Sequence, residues 1–482
     1  MVGHEITPAL GLQPRAALQA LPRVRVPPSE MRQLCLLAAP IAATNLVQAA
    51  GALIETLVAG RLSPAALGAV GLGNSLFLSA AILGAGVTLG LDPLICQAVG
   101  ARQHESARDL LGQGFWLAGL ICLPLLLLLA GFAATLAPLG VGSETVALTR
   151  SYLWLRSVGL FAYLAVVALR SYVQAALPAR LVTQSVAVAL LLQLPAAWLL
   201  GLGDAGLTAL GIPGLGFAGF GVAGIAAASS LALVMQAVFL LGVIAWRRML
   251  PVHFDLRLSS VIRASRLGFP VGAAMLGEYA IFAIVAVLAG TFGETALASH
   301  QVAISLAGSS FVLPLGIGSA AAVCVGRAVG SGATDAAHRF GRAGMWLAAS
   351  CMLAVSVVFW LSPRLLAGMV CSAGPAVIDA AVPLLLVAGL FQLSDGVQAA
   401  AAGALRGAGD TASPLIAVLV GHYGIGLPVG LVAAFGLGLG TSGLWLGLTA
   451  GLTFVAVSLW RRFPASVAPP GLEPSARESL AA

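Results

Sequence analysis

From Thr411 to Trp460, 50 residues pass without one Asp, Glu, Lys or Arg. A helix needs about 20 mostly apolar residues to cross a bilayer. The run therefore reads as two spanning helices, divided at the turn Phe435-Gly-Leu-Gly-Leu-Gly-Thr-Ser-Gly443. Gln33–Ile54, Leu110–Ser143, Leu181–Gly203 and Ala343–Pro363 are equally free of charge and hold one helix each. Ala205–Trp246 opens on a Gly-rich turn and holds one more after it. With the interrupted stretches added, the pattern predicts twelve spans. They lie near residues 33–58, 65–91, 112–138, 150–176, 181–202, 219–246, 267–291, 295–326, 341–363, 378–403, 412–434 and 439–460.

Composition closes the alternatives. The chain is 60% hydrophobic and 9% charged, with 24 basic and 17 acidic residues. A soluble domain is about 25% charged, so a water-soluble enzyme is excluded and an all-α polytopic membrane protein is predicted. Every basic residue is Arg, and the arginines are scattered, with no patch for nucleic acid. Six cysteines, Cys35, Cys96, Cys122, Cys324, Cys351 and Cys371, form no CxxC and read as free thiols. No metal-ligand spacing and no nucleophile elbow is present, so neither an enzyme nor a cofactor is expected.

The arginines set the expected orientation. Arg15, Arg23, Arg25 and Arg32 lie before the first span. Arg102, Arg108, Arg247, Arg248, Arg257, Arg263, Arg266, Arg327, Arg339 and Arg342 follow even-numbered spans, and Arg461 and Arg462 follow the last. Connections after odd spans carry only Arg61, Arg150 and Arg364. The positive-inside rule then places both termini in the cytoplasm. Residues 1–32 have no apolar run of signal-peptide type and are expected to remain as a cytoplasmic arm. The segment after Arg462 is expected to be a disordered tail.

The chain repeats itself. At an offset of 230, residues 40–118 align with 270–348 without a gap, with 22 identities in 79 positions. Pro40 meets Pro270, Gly60 meets Gly290, and Ala98-Val99-Gly100 meets Ala328-Val329-Gly330. Gly159-Leu160-Phe161 returns to the same offset against Gly389-Leu390-Phe391. Six spans per half is an even number, so the halves share one orientation about an axis along the membrane normal. The expected division is a 1–32 arm, a 33–246 N-lobe, a 247–266 cytoplasmic linker, a 267–460 C-lobe and a 461–482 tail. Such an architecture places a substrate site near the midplane between rocking lobes. A duplicated channel is disfavoured, because no filter-like sequence or charged ring is visible.

Three carboxylates fall inside spans: Glu55, Glu278 and Asp395. An ionised carboxylate at a helix centre costs roughly 2.5–3.5 kcal/mol on insertion scales, so each is a candidate for coupling-ion or substrate binding. Such a carboxylate can take up and release a proton, bind a monovalent cation or pair with a cationic substrate. Glu55, one turn from its span end, could instead pair with Arg61 at the interface. Asp395 sits among Gln392, Ser394 and Gln398, which suggests a wet cavity wall. His300 and Gln301 serve either a helix start or proton handling, and His422 and Tyr423 either the cavity or contacts between helices. Arg156 and Arg170 in span four either snorkel or pair with carboxylates. Gln48 is opposite Glu278 in the repeat. Tyr279, Phe282, Phe391 and Tyr423 could stack on a flat cation or simply pack the core.

These residues also carry a family resemblance. Gly277-Glu278, Leu297-Ala-Ser-His-Gln301, Leu313-Pro-Leu-Gly-Ile-Gly318 and Val325-Gly-Arg-Ala-Val-Gly330 resemble motifs of the multidrug and toxic compound extrusion (MATE) transporters, NorM-like bacterial branch. So do Phe391-Gln392, Asp395, Gly403-Ala-Leu-Arg-Gly407, Gly409-Asp-Thr411, Pro414, Glu55-Thr56-Leu-Val-Ala-Gly60 and Gln97-Ala-Val-Gly100. The likeness covers about residues 33–460. It implies a twelve-helix, two-lobe antiporter that exports organic cations in exchange for Na⁺ or H⁺, a monomer in a bacterial inner membrane. It assigns cation-handling acids to Glu278, Asp395 and Glu55. Where the family often has an Asn and then an Asp in span five, this chain has Gln193 and Ala197, with Ser229 as the span-six hydroxyl. That departure weakens an N-lobe Na⁺ site and favours H⁺ coupling or a C-lobe ion site. Three readings compete, and the one outside transport, an assembly scaffold or sensor, would be expected to carry an added soluble domain, of which the sequence shows none. A flippase of lipid-linked sugars in the same superfamily would need an Arg-rich cavity, whereas the membrane-embedded ionisable residues here read as mainly acidic. A major facilitator transporter would carry a GxxxDRxGRR-like loop, in place of Gly100-Ala-Arg-Gln-His-Glu105.

Overall fold

A computed structural model describes residues 28–209, 211–214, 216–370 and 374–467. Arg15, Arg23, Arg25, Cys371 and the tail beyond Val467 lie outside the described residues. Twelve helices long and apolar enough to span a membrane are present among the described residues, in the predicted order. They are α1 (Pro28–Ala59), α2 (Pro64–Thr88, continued by Leu91–Gly100), α3 (His104–Thr135), α4 (Ser143–Ala176), α5 (Arg180–Leu202) and α6 (Val222–Trp246). The second half holds α7 (Leu258–Gly290), α8 (Glu294–Gly330), α9 (Thr334–Leu361), α10 (Pro375–Ala408), α11 (Ala412–Gly436) and α12 (Gly440–Ser466). Several helices run past the apolar stretches that announce them. Thus α3 begins at His104, because polar residues continue a helix once it has left the bilayer. The five described cysteines are free.

The packing is that of a protein in lipid. Leu53, Leu57, Leu127, Leu191, Val287 and Leu361 are exposed. The interior is rich in alanine: Ala165, Ala168, Ala226, Ala228, Ala320, Ala321, Ala400 and Ala404 are almost wholly buried. Lipid tails are as apolar as leucine, so helix association depends on close van der Waals approach, which small residues permit. Within the first half, α4 packs on α2, α3 and α6, and α5 on α1 and α6. The same pairings recur as α10 on α8, α9 and α12, and α11 on α7 and α12.

The halves meet mainly through the repeat-related pairs α1 with α8 and α2 with α7, and through α2 with its own repeat counterpart α8. The meeting lies at the arginine-rich end. A Cβ built on Gly86 would fall on the backbone of Gly272, and one on Gly90 on that of Gly268, so α2 and α7 cross there with no room for a side chain. Gln97 Nε2 donates to Gly407 O at 3.1 Å. Its repeat partner Arg327 donates to Ala175 O from Nε at 3.0 Å and from Nη2 at 2.6 Å, and to Gln174 O at 3.2 Å. Each residue thus crosses between the halves to satisfy carbonyls left open at the last turn of α10 or α4. Arg406 and Asp92 add an ion pair at 3.3 Å beside them.

Gly409 (φ 92°) ends α10 in the left-handed region, where a Cβ would be strained, and Asp410 N returns to Leu405 O at 2.9 Å. α11 then departs from α-geometry: Leu419–Gly426 and Val432–Gly436 are π-helical. Such segments open the backbone ladder and often mark functional stretches.

Candidate functional site

A cavity of about 590 Å³ lies between the halves, above the closed arginine-rich end. It reaches from Asp92 and Arg406 to Glu55, Asn74 and Phe311. Its size suits a drug-sized molecule, for which pockets run roughly 300–1,000 Å³. Of the residues singled out from sequence, Gln48, Glu55, Arg156, Arg170, Gln193, Ser229, Glu278 and Gln398 line it.

Glu55 is held by donors. Tyr152 Oη donates to Oε2 at 2.5 Å and Ser229 Oγ to Oε1 at 2.5 Å. Gln193 Nε2 donates in turn to Ser229 Oγ at 3.0 Å, with a longer bond to Gly51 O at 3.5 Å. The Arg156 guanidinium stands 3.7 Å from Oε1 and lies 4.7 Å over the Phe77 ring. The expected alternative, Glu55 with Arg61, is not what forms, because Arg61 instead stacks on Trp198 at 4.6 Å. Glu55 faces the interior and its partners come from α4 and α6, which no local spacing predicts. The Gln193 and Ser229 expected beside it are there, and Ala197 is buried nearby in α5.

Glu278 is on the opposite wall. Its side-chain partner is Gln398 of α10, which donates to Oε1. No second charge is paired with it among the described residues. Asp395, one turn before Gln398, is buried. It does not line this cavity, so the expected wet wall is corrected to Gln398 alone, Asp395 being buried one turn away.

The other candidates also lie off the cavity wall. Gln392 donates to Ser310. His300 Nδ1 accepts from Trp445 Nε1 at 3.2 Å. Phe391 stands edge-on to both Phe282 and Trp445, with ring centres 6.1 and 5.8 Å apart, so Phe282, Phe391 and His300 form one aromatic core. Tyr423 Oη donates to Gly277 O at 2.8 Å, tying α11 to α7. His422, in the first π-helical segment, is buried with neither ring nitrogen partnered. Tyr279 and Gln301 are exposed away from the cavity. Aromatic residues therefore pack the C-terminal half more than they line the binding space.

Sequence reasoning undercounted the basic side of the cavity. Arg156, Arg170 and Arg406 line it together with Glu55, Asp92 and Glu278, three cations against three anions. Asp92 and Arg406 fell outside or at the edge of the predicted spans and so were not weighed as intramembrane charges. Tyr152 and Gln174 were missed altogether. An i, i+4 pair of polar residues in an apolar helix, Arg170 with Gln174, is the signal that could have found the second.

Comparison with known proteins follows the repeat. The family model MatE matches residues 40–199 and again 270–432, one match per half, the two starting at the offset of the repeat. The chain is 35% identical over 443 residues to the probable multidrug resistance protein NorM of Deinococcus radiodurans, covering 90% of this chain and 95% of that one. It is likewise 35% identical over 448 residues to the probable multidrug resistance protein NorM of Mesorhizobium japonicum, covering 90% and 93%. Among solved structures, the eukaryotic MATE transporter AtDTX14 superposes with a TM-score of 0.80 at 21% identity, covering 94% of this chain and 99% of that one.

Proposed function

The chain belongs to the MatE family, and from that premise we propose that it is an antiporter that exports organic cations, with Glu278 and Asp395 as the coupling carboxylates. The observation that carries this reading is Glu278: a carboxylate on the wall of a drug-sized cavity, with an amide and no cation as its side-chain partner. Such a group can exchange a proton or a small cation for a positively charged substrate, because the two compete for one anion. Glu55 is different. Two hydroxyls and a guanidinium already surround it, so its charge is met from within the protein. Coupling therefore runs through the C-terminal half, and Glu55, already facing Arg156, leaves no free charge for a Na⁺ in the N-terminal one. Closure at the arginine-rich end, cytoplasmic by the positive-inside rule, supports an outward-facing state in a bacterial inner membrane with both termini inside. The equal number of cations and anions on the wall disfavours a lipid-linked pyrophosphate as cargo.

The test is ethidium efflux from proteoliposomes, driven separately by a Na⁺ gradient and a pH gradient. Wild type is expected to respond to the pH gradient, and Glu278→Gln and Asp395→Asn to lose at least tenfold in rate. Efflux driven by neither gradient removes the cation-antiport reading. Efflux that survives both substitutions removes these two residues from it.

A further inference from the structure

One face of α4 carries polar groups that cation export does not use. Arg170 and Gln174 stand one turn apart on it, and both line the cavity. Gln174 is 5% exposed and its Nε2 has no acceptor. Arg170 has no hydrogen-bond or ion-pair partner among the described residues. Asp92, the carboxylate in its electrostatic reach, is already held by Arg406 at 3.3 Å. A buried donor without an acceptor and a guanidinium without an anion are both costly inside a membrane. The repeat supplies an internal comparison: Arg170 and Gln174 fall opposite Ala400 and Ala404 of α10, both fully buried. Alanine is thus enough for the packing, and the polar pair is an addition particular to one half.

We propose that Arg170 and Gln174 form an anion-accepting subsite for a carboxylate or sulfonate of the transported molecule. A guanidinium and an amide one turn apart can both donate to a single oxyanion, and charge-assisted bonds of this kind are the strong ones. With Glu278 on the other half as the cation's partner, the cavity then suits zwitterions as well as simple cations. The subsite rests on the export reading above and names a substrate class for the same cavity.

Rhodamine B and its ethyl ester separate the two ideas. Both carry the same xanthylium cation, but only the free acid carries a carboxylate. Efflux of each is measured from proteoliposomes of the full chain. Export of neither dye sinks the export reading and the subsite with it. Export of the ester alone sinks the subsite and leaves cation export standing. Given export of both, the acid-to-ester ratio is expected to fall at least tenfold in Arg170→Gln and about threefold in Gln174→Leu, while Arg170→Lys keeps most of it. An unchanged ratio in Arg170→Gln, or an equal fall in Arg170→Lys, overturns the proposal. Should Arg170→Gln fail to fold, the ratio of the two dyes' Kd values in Gln174→Leu, by fluorescence on purified protein, decides alone, an unchanged ratio again being fatal.

Discussion

Two carboxylates show how differently a single residue can be used. Glu55 accepts from Tyr152 and Ser229 and faces Arg156, with side chains 4% and 13% exposed across the ion pair. Removing one partner of a buried pair strands the other charge. Glu55→Ala is therefore expected to destabilise the folded protein by about 3 kcal/mol in detergent unfolding. Glu55→Ala with Arg156→Met should cost clearly less than the two single changes added together. Additivity in that cycle would mean the pair does not interact. Asp410 lies between α10 and α11, outside the spans. It accepts from Ser413 N and Oγ at 3.1 and 2.8 Å, from Ser466 Oγ at 2.9 Å and from Arg462 Nε at 3.1 Å. Burial pushes its carboxyl up, but those bonds outweigh burial and hold it below the usual carboxylate range. A carboxyl depressed on folding contributes stability above its unfolded value, about 3.9, and loses it as pH falls through the folded one. Asp410→Asn should thus lower the melting temperature at pH 7, and the gap to wild type should close in acid below about pH 4. A gap that widens in acid would reverse the assigned sign.

At the scale of elements, the closed end depends on helix termini and on backbone contact. Arg327 and Gln97 are repeat partners, and each bonds the carbonyls that end a helix of the other half. Losing both is expected to cost the closed arrangement about 2 kcal/mol, which raises the open-to-closed ratio more than tenfold. Spin labels at His104 and Thr334, which open α3 and α9, should report it. In the double variant Gln97→Ala with Arg327→Ala a longer-distance population should appear, and an unchanged distribution would deny the latch. Gly86→Leu should act in the same direction by a different route. Its side chain has only the Gly272 backbone to occupy, so α2 and α7 must part. The sequence alignment had already paired Gln97 with Arg327, but only the folded chain shows that both cross between halves.

For the molecule as a whole, the halves enclose a cavity and meet below it. Leu78 lines that cavity and is 38% exposed. In a chain with its six cysteines replaced, Leu78→Cys should react with an impermeant maleimide from outside the cell at least tenfold faster than from inside. The opposite ratio would invert the assigned orientation. Twelve spans in two repeated halves were legible in the sequence. Apolar length, arginine bias and a constant offset are local or periodic signals, and the bilayer leaves helices as the only economical way to satisfy the backbone. Glu278 and Glu55 were legible too, since a carboxylate inside a span stands out against its neighbours. Their partners were not. Tyr152 and Arg156 lie about a hundred residues from Glu55, and Gln398 lies 120 from Glu278. Nor could the sequence tell that Asp395 and the aromatics around His300 turn inward while Arg170 and Gln174 face the cavity. A helix in lipid has little amphipathic contrast, so its pattern does not say which side meets the substrate. Rotation about each helix axis is settled by close packing against its neighbours, and that is why the tertiary structure alone decided which charges meet, which remain free and at which end the halves close.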